Sequence, residues 1–259
     1  MFRGYDFTYA GCSASMFGMY VADIGGKSHS ANSFGNKANI VETRLAGRVT
    51  PVHFGVRYHD NPLSFSLIFG ADRILDRYEM QEVSQWLMGY QEYQWLSIDQ
   101  PDMEHIQFRC LVQELTPIHH VWLPMAFEAK IICDCPYGYS YPITKEFGLG
   151  KTVTWYNDST CMEPLRPKVV LELAEGCTEC AVVNETTGDE LRFTGLPGGA
   201  LTIDIDNENC VVTDPVGGTD LYEHFNFQFL RFAPGDNKLR LDGTGKMRIE
   251  GRYLYAVGA

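Results

Sequence analysis

Several features that would point to a particular class of protein are missing from the sequence. No apolar run approaches the ~20 residues of a membrane-spanning helix, so no membrane insertion is predicted. Residues 1–6 contain no apolar stretch of the kind that leads secreted chains, and we therefore expect synthesis and retention in a cytoplasm.

Positive charge is also scarce. The chain has 21 Lys and Arg residues against 33 Asp and Glu residues, for a formal net charge of −12. Proteins that bind nucleic acid gain affinity when basic side chains neutralise phosphates, so this balance predicts no specific binding of nucleic acid.

Common catalytic and metal-binding motifs are absent as well. The sequence contains no GxSxG, Walker or HExxH motif. His119 and His120 are adjacent, so on a strand they would point to opposite faces and could not bind one ion together. The residues from Asp204 onward resemble the start of a calcium loop, but Asn209 and Pro215 stand where such a loop needs Gly and Glu.

The eight cysteines are the remaining candidates for a site. Cys133 and Cys135 form one close pair and Cys177 and Cys180 another, but roughly 40 residues separate the pairs, whereas a structural zinc site needs them to converge. In a reducing cytoplasm, cysteines remain thiols more often than they form disulfides. We interpret them as thiols on strands, and the sequence predicts no catalytic residues, no cofactor and no metal site.

The residues that are abundant favour β-structure. Aromatic residues make up 13% of the chain, and these side chains favour strands and protein interfaces. Short alternating segments with turn residues between them are typical of β-sandwiches. The predicted strands are 39–44, 52–58, 63–69, 93–98, 106–112, 125–132, 168–173, 180–184, 200–205, 225–229, 238–241 and 247–255.

The strand predicted at 52–58 has Val52, Phe54, Val56 and Tyr58 on one face, and the turn residues 60–62 follow it. One segment has helical periodicity instead. Over residues 72–89 the apolar residues recur near 3.6-residue spacing, and Asp72 and Gly89 can cap the two ends. The apolar face of this predicted helix comprises Ile74, Leu75, Tyr78, Val83, Trp86 and Leu87.

A change of composition near residues 140–145 predicts two domains, 1–140 and 141–259, because the second part is more acidic and richer in turns. The predicted fold class is mostly β, with the helix in the first domain and a β-sandwich in the second. In such a sandwich Trp155 or Tyr222 could stack on a sugar, although each could equally lie in the core or at an interface.

The order of several short motifs resembles one known family. An apolar strand at 65–70 precedes the helix that ends in Trp86 and Leu87, and a Leu-x-x-Asp-x-Pro-Asp segment follows at 96–102. Pro136 and Tyr137 close the first half, and the second half adds segments 167–173, 201–204 and 232–239. Together they resemble the distal tail protein (Dit) family of phages with long, non-contractile tails, although the segment 25–37 and the cysteine content match no feature of that family.

The resemblance implies a structural hub and no enzyme. Members of the family form hexameric rings at the distal end of the tail tube. The sequence does not decide between a single ring and two rings stacked back to back. The N-terminal domain, β-sandwich-like with one helix, would build the ring through a strand-built arm between subunits. The C-terminal domain would be a galectin-like β-sandwich that projects outward, and such domains usually lack the sugar-binding residues of true galectins.

The implied partners are other copies of the chain, the tail tube protein above the ring, the tail-associated tip protein below it, and receptor-binding proteins. The implied location is the virion tail tip, after synthesis in the host cytoplasm. The main alternative is a carbohydrate-binding accessory protein from a prophage or host locus, and a weaker one is a tail lysin or glycosidase.

Two further expectations follow from the residues. Between Ile24 and Ile40 the only large apolar residue is Phe34, so we expect residues 25–39 to form a loop that orders on assembly. A ring through which DNA passes should not bind it, so we expect part of the acidic excess to face the lumen.

Overall fold

The computed structural model describes residues 5–24, 39–57, 62–71, 73–101, 103–120 and 123–256. The described chain divides into two compact units, one comprising the residues up to Tyr139 together with Ala256 and the other comprising Ser140–Tyr255. Strands dominate both units and the first contains the α-helix, so the predicted mostly-β fold class with one helix is confirmed.

The first unit is built on one antiparallel sheet. Its strands are β1 (Phe7–Tyr9), β2 (Cys12–Ser13), β3 (Met19–Ile24), β6 (Ser64–Ala71), β7 (Gln94–Ile98), β8 (Gln107–His120), β9 (Leu123–Cys133) and β10 (Gly138–Tyr139). The order across the sheet is β2-β1-β7-β8-β9-β6-β3, and β10 pairs with β8. β4 (Asn39–Thr43) and β5 (Val52–Arg57) form a separate two-stranded sheet. Strands β1 to β3 were not predicted as individual elements.

The helix, α1 (Arg77–Met88), begins later than its sequence pattern predicts. Its N-cap is Asp76, whose carboxylate accepts hydrogen bonds from the backbone N–H groups of Tyr78 (2.8 Å) and Glu79 (2.9 Å). Glu79 in turn accepts a bond from the backbone N–H of Asp76, which completes a capping box. Asp72 lies outside the described residues, and Gly89 caps the C-terminus as predicted.

Helix α1 packs through the apolar residues of its C-terminal half. Val83, Trp86 and Leu87 are buried, whereas Tyr78 is exposed and Ile74 lies before the helix, so these last two do not belong to the buried face. The Trp86 ring stacks between those of Phe7 and Phe17, with centroids 5.6 Å and 4.9 Å away, and its Nε1–H donates to the Tyr9 carbonyl at 3.0 Å. Trp86 therefore ties the helix to β1.

The second unit is a sandwich of two antiparallel sheets. The five-stranded sheet has the order β11-β19-β13-β16-β17 and the four-stranded sheet the order β12-β18-β14-β15. The strands of the two sheets are β11 (Ile143–Gly148), β12 (Lys151–Asn157), β13 (Lys168–Leu173), β14 (Glu179–Asn184), β15 (Asp189–Thr194), β16 (Leu201–Asp206), β17 (Val211–Thr213), β18 (Gly235–Asp242) and β19 (Gly245–Gly251), and the short β20 (Leu254–Tyr255) belongs to neither sheet. Alternate residues of these strands are buried, as for Val169, Leu171 and Leu173 of β13, and they form the core between the sheets.

An irregular stretch, residues 214–234, completes this core although no named strand lies in it. It contributes Leu221, Phe225, Leu230 and Phe232 to the core. The strand predicted at 225–229 is wrong, because only an isolated bridge from Phe193 to Phe225 forms there. Oδ1 of Asn226 accepts a hydrogen bond from the backbone N–H of Arg192 at 3.1 Å, where the carbonyl of a neighbouring strand would otherwise accept it.

Four buried asparagines hold the end of this stretch. Asn207 accepts the Leu230 N–H (2.7 Å), Asn184 donates to the Arg231 carbonyl (2.8 Å), Asn157 donates to the Phe232 carbonyl (3.0 Å), and Asn237 accepts the Ala233 N–H (2.9 Å). All four amides are at most 1% exposed. Each of four consecutive residues is thus fixed by a different side chain.

We expect Asp76→Ala to lower the free energy of unfolding of the N-terminal unit by about 1 kcal/mol, because two backbone N–H groups lose the carboxylate that accepts from them. Urea denaturation followed by far-UV circular dichroism measures this change. Glu82→Ala, at an exposed position of the same helix, is the control and should change stability by less than about 0.5 kcal/mol. Equal stability of the two variants would contradict the capping assignment.

We expect Asn207→Ala to destabilise the C-terminal unit by about 3 kcal/mol, since the Leu230 N–H and the Pro167 carbonyl each lose a buried partner worth about 1–3 kcal/mol. The control is Asn209→Ala, whose amide is exposed and bonds only to Asp206 at the surface. Urea denaturation of both variants measures the difference, and a similar midpoint for the two would show that the buried amide is dispensable.

Candidate assembly surfaces

The hairpin of β4 and β5 carries exposed apolar side chains in the first unit. Its two strands pair with each other and, within the described residues, with no strand of the main sheet. Ile40 is 63% exposed, Phe54 66% and Val56 44%. A two-stranded hairpin is marginal on its own in water, so a partner surface would stabilise this one.

Three exposed apolar side chains lie close together on the hairpin, and two of them share one face. Ile40 and Val56 are directly opposite each other in the register, which places both side chains on the same face. Phe54 precedes Val56 by two residues, has no partner in the register and is also exposed. These three residues, Ile40, Phe54 and Val56, are called the hairpin patch below.

A register shift falls at Phe54, within the hairpin patch. Val41 pairs with Gly55 and Glu42 with His53, so β5 has one extra residue at this point. Gly55 has φ +137°, a conformation that a residue with a Cβ rarely adopts. The shift brings Val52 opposite Thr43 and breaks the predicted alternation of Val52 with Phe54 and Val56. Tyr58 and residues 60 and 61 lie outside the described residues, as do residues 25–38 of the predicted assembly loop.

A second exposed patch lies in the irregular stretch of the second unit. The rings of Tyr222 and Phe227 are nearly parallel, with centroids 5.9 Å apart, and they are 39% and 64% exposed. Phe227 has φ +58°, in the left-handed region that costs a residue other than glycine about 1–3 kcal/mol. Asn226 holds this backbone, since its amide donates to the Glu190 carbonyl at 2.7 Å. The two rings, Tyr222 and Phe227, form the aromatic patch.

The other sugar-stacking candidate of the sequence does not reach the surface. Trp155 is fully buried, and its ring centroid lies 5.9 Å from that of Phe232 in the sandwich core. The prediction that Trp155 could stack on a sugar is therefore wrong, whereas the ring of Tyr222 is accessible. A shallow groove on the five-stranded sheet, lined by Lys168, Val169, Val170, Asp204, Ile205, Asp206, Val211, Thr213, Arg248 and Glu250, has no aromatic ring on which a sugar could stack.

Acidic side chains order the loop that leads into the aromatic patch. The Asp214 carboxylate accepts backbone bonds from Val216 (3.0 Å), Gly217 (2.8 Å) and Thr219 (3.1 Å). The bonds from Gly217 and Thr219 lower the pKa of Asp214 to about 2, so it is charged at any physiological pH. These three bonds hold the loop.

The residues weighed as metal ligands are not brought together. Across the described residues, no group of three or more His, Cys, Asp or Glu side chains could hold an ion. His119 is exposed, and the side chain of His120 lies outside what the structure describes. Asp206 is engaged as a turn residue, because it accepts backbone bonds from Glu208 and Asn209 at 3.0 Å. Among the described helices, none is long and apolar enough to cross a membrane.

Comparison with known families assigns both halves of the chain. Residues 2–135 match a family model described as a phage tail protein N-terminal domain, and residues 137–251 match a phage tail C-terminal domain. The chain belongs to this family of phage tail proteins. A search of curated proteins finds no significant match.

Solved structures show where this phage tail protein's fold occurs. The Dit protein of phage SPP1, described as a paradigm of the hub adsorption apparatus in phages that infect Gram-positive bacteria, is 10% identical. The match has a TM-score of 0.72 and covers 97% of this chain and 100% of that one. A chain of the phage P2 baseplate in its activated conformation with Ca is 11% identical, with a TM-score of 0.54 and 98% of each chain covered. The predicted resemblance to distal tail proteins is confirmed.

The sequence did not reveal either patch as a surface. Phe54 and Val56 alternate as a buried strand would, and Phe225, Phe227 and Phe229 alternate with polar residues in the same way. The alternation therefore predicted strands in both places and gave no sign of an exposed patch.

Proposed function

We propose that this phage tail protein is the structural hub of a long, non-contractile tail tip. It forms a hexameric ring that joins the tail tube to the tip, the baseplate and receptor-binding components. The observation that carries the proposal is the hairpin patch, three exposed apolar side chains on a hairpin that pairs with no other strand in the described part of the monomer. The match in fold to a hub protein over nearly the whole chain supports it.

The hairpin suits the contact between neighbouring subunits. A cyclic ring of six is built from heterologous interfaces, in which one patch meets a different patch on the next subunit. An extended hairpin can reach such a neighbour and bury Ile40, Phe54 and Val56 against it. We assign it as the strand-built arm of the ring domain, residues 1–140.

The second domain, residues 141–259, has a different part in the proposal. It is a galectin-like sandwich that holds baseplate or receptor-binding proteins, while the tube protein and the tip protein contact the ring. The hub acts through surfaces rather than chemistry, so we propose no enzymatic activity. With a net charge of −12, the ring has no nucleic-acid partner and DNA passes it without binding.

We expect the wild-type chain to form hexamers or double hexamers, and Phe54→Glu to remain monomeric, because a charge on the hairpin patch would be buried without a partner in the interface. Light scattering coupled to size-exclusion chromatography measures the mass of each species. The urea midpoint of Phe54→Glu should stay close to wild type, since Phe54 is exposed in the monomer.

Tyr156→Glu is the matched control, as Tyr156 is 52% exposed on β12 of the other unit and should leave the ring intact. Hexamers of Phe54→Glu at the wild-type concentration would contradict the role of the hairpin. A wild type that stays monomeric even with the tube protein present would contradict the ring itself.

A carbohydrate-binding role is the second candidate, and the aromatic patch is the observation that favours it. Two nearly parallel exposed rings offer flat apolar faces of the kind on which a sugar ring can stack. The strained backbone of Phe227 keeps one of them exposed, and strain of this kind is concentrated at functional sites.

If the aromatic patch binds sugar, the full wild-type chain should give signals on a glycan array. Phe227→Ala should lower these signals at least tenfold, and the control Tyr156→Ala should leave them unchanged. An array without signals, or equal signals for both variants, would leave the patch without a carbohydrate role.

A further inference from the structure

Two cysteines face each other across the longest hairpin of the first unit. Cys110 lies in β8 and Cys133 is the last residue of β9, and the register pairs them directly. Both are free thiols, and both are almost fully buried, at 0% and 1% exposure. Residues directly opposite in an antiparallel pair have their side chains on the same face of the sheet. The two sulfur atoms are therefore neighbours in the core.

The hydrogen bonds around the pair define its geometry. The N–H of Asp134 donates to the carbonyl of Arg109 at 2.9 Å. Arg109 and Asp134 are therefore a hydrogen-bonded pair, and they stand one residue along the two strands from the cysteines. The N–H of Cys133 points the other way and donates to the carbonyl of Leu63 at 2.8 Å. Cys110 and Cys133 are thus a non-hydrogen-bonded pair.

Such pairs bring the two backbones close enough for a covalent link. Opposite residues of a non-hydrogen-bonded pair have Cα atoms about 4.5 Å apart, nearer than those of a hydrogen-bonded pair. Disulfides join Cα atoms about 4.4–6.8 Å apart. The pair lies at the short end of this range, so a bond between the sulfur atoms requires side-chain rotation and little movement of the strands.

We propose that Cys110 and Cys133 form a disulfide once the tail protein leaves the reducing cytoplasm of the host. The oxidant is a small disulfide such as oxidised glutathione. One protein thiolate attacks it, forms a mixed disulfide and releases one small thiol. The second protein thiolate then attacks the protein sulfur of the mixed disulfide and releases the second small thiol. The two protein sulfurs are oxidised by two electrons in total, and their two protons end on the released thiols.

The burial of the pair delays this reaction inside the cell. Burial raises the pKa of Cys110 to about 12 and raises that of Cys133 further, with a contribution from the neighbouring Cys110. The thiolate is the attacking form, so at neutral pH the folded pair reacts very slowly. Oxidation therefore proceeds through transient opening of the end of β9, and the closed hairpin keeps the thiols reduced until then.

The disulfide would connect the two long strands at the base of their hairpin. It closes a loop of roughly 24 residues that contains the whole hairpin tip. Because a link of this length restricts the unfolded chain, we expect it to lower the unfolded population by on the order of a hundredfold. A virion outside its host would then have a more stable tail tip than the newly made protein.

The test is a peptide map of the full wild-type chain after incubation with oxidised glutathione in dilute urea, which opens strand ends without unfolding the protein. Free thiols are alkylated before digestion and mass spectrometry. We expect a peptide containing Cys110 linked to one containing Cys133, while the exposed Cys210 carries glutathione or the alkyl group. In buffer without urea the linked peptide should form much more slowly.

Two variants check the assignment. Cys110→Ala should abolish the linked peptide and the rise in urea midpoint on oxidation, whereas Cys161→Ala, a buried cysteine of the other unit, should retain both. Reduced Cys110 and Cys133 after prolonged opening would overturn the proposal. So would a dominant link between other cysteines, such as Cys133 to Cys135. The wild-type map needs no variant and decides the matter even where a variant fails to fold.

Discussion

The C-terminal unit depends on side-chain amides that replace a missing strand. Residues 214–234 deliver four apolar side chains to the core but lack a ladder of backbone bonds, and buried backbone groups need partners. Asn157, Asn184, Asn207 and Asn237 supply them to residues 230–233. Each amide offers both a donor and an acceptor, so one type of residue satisfies N–H and carbonyl groups alike. Because this stretch is fixed, the same backbone can hold Phe227 in a strained, exposed conformation.

The β4–β5 hairpin of the N-terminal unit has no comparable support within the described chain. Its strands satisfy each other's backbone groups, yet its apolar face has no counterpart in the main sheet. Folding of the monomer leaves Ile40, Phe54 and Val56 partly in water, so each lacks a part of the ~1.5–3 kcal/mol that full burial gives. In the proposed ring, a neighbouring subunit would supply that stabilisation. The two units would then differ in kind, since one is completed by its own side chains and the other by assembly.

Much of the fold was predictable because it depends on local patterns. Alternation at Val169, Leu171 and Leu173 identifies β13, and β14, β16, β18 and β19 were predicted as well. The strands β11, β12, β15 and β17 were missed. The helix start was misjudged at Asp72, although Glu79 three residues after Asp76 is the capping-box signal. The irregular stretch was not predictable, because the amides that hold it come from outside it. Asn157, Asn184 and Asn207 lie far along the chain from the residues they hold, and only Asn237 lies close. The hairpin patch was missed because alternation looks the same whether its own chain or a neighbour covers the apolar face.

Ring closure would make assembly far more sensitive than folding to changes in the hairpin patch. In the proposed ring of six, every subunit uses its hairpin once and receives a neighbour's hairpin once. A loss of about 1.4 kcal/mol at one interface weakens that contact tenfold, and a closed ring suffers the loss at all six interfaces together. The monomer, in which these side chains are exposed, loses almost nothing. A surface of this kind can therefore be essential to the tail while it contributes little to the stability of the isolated chain.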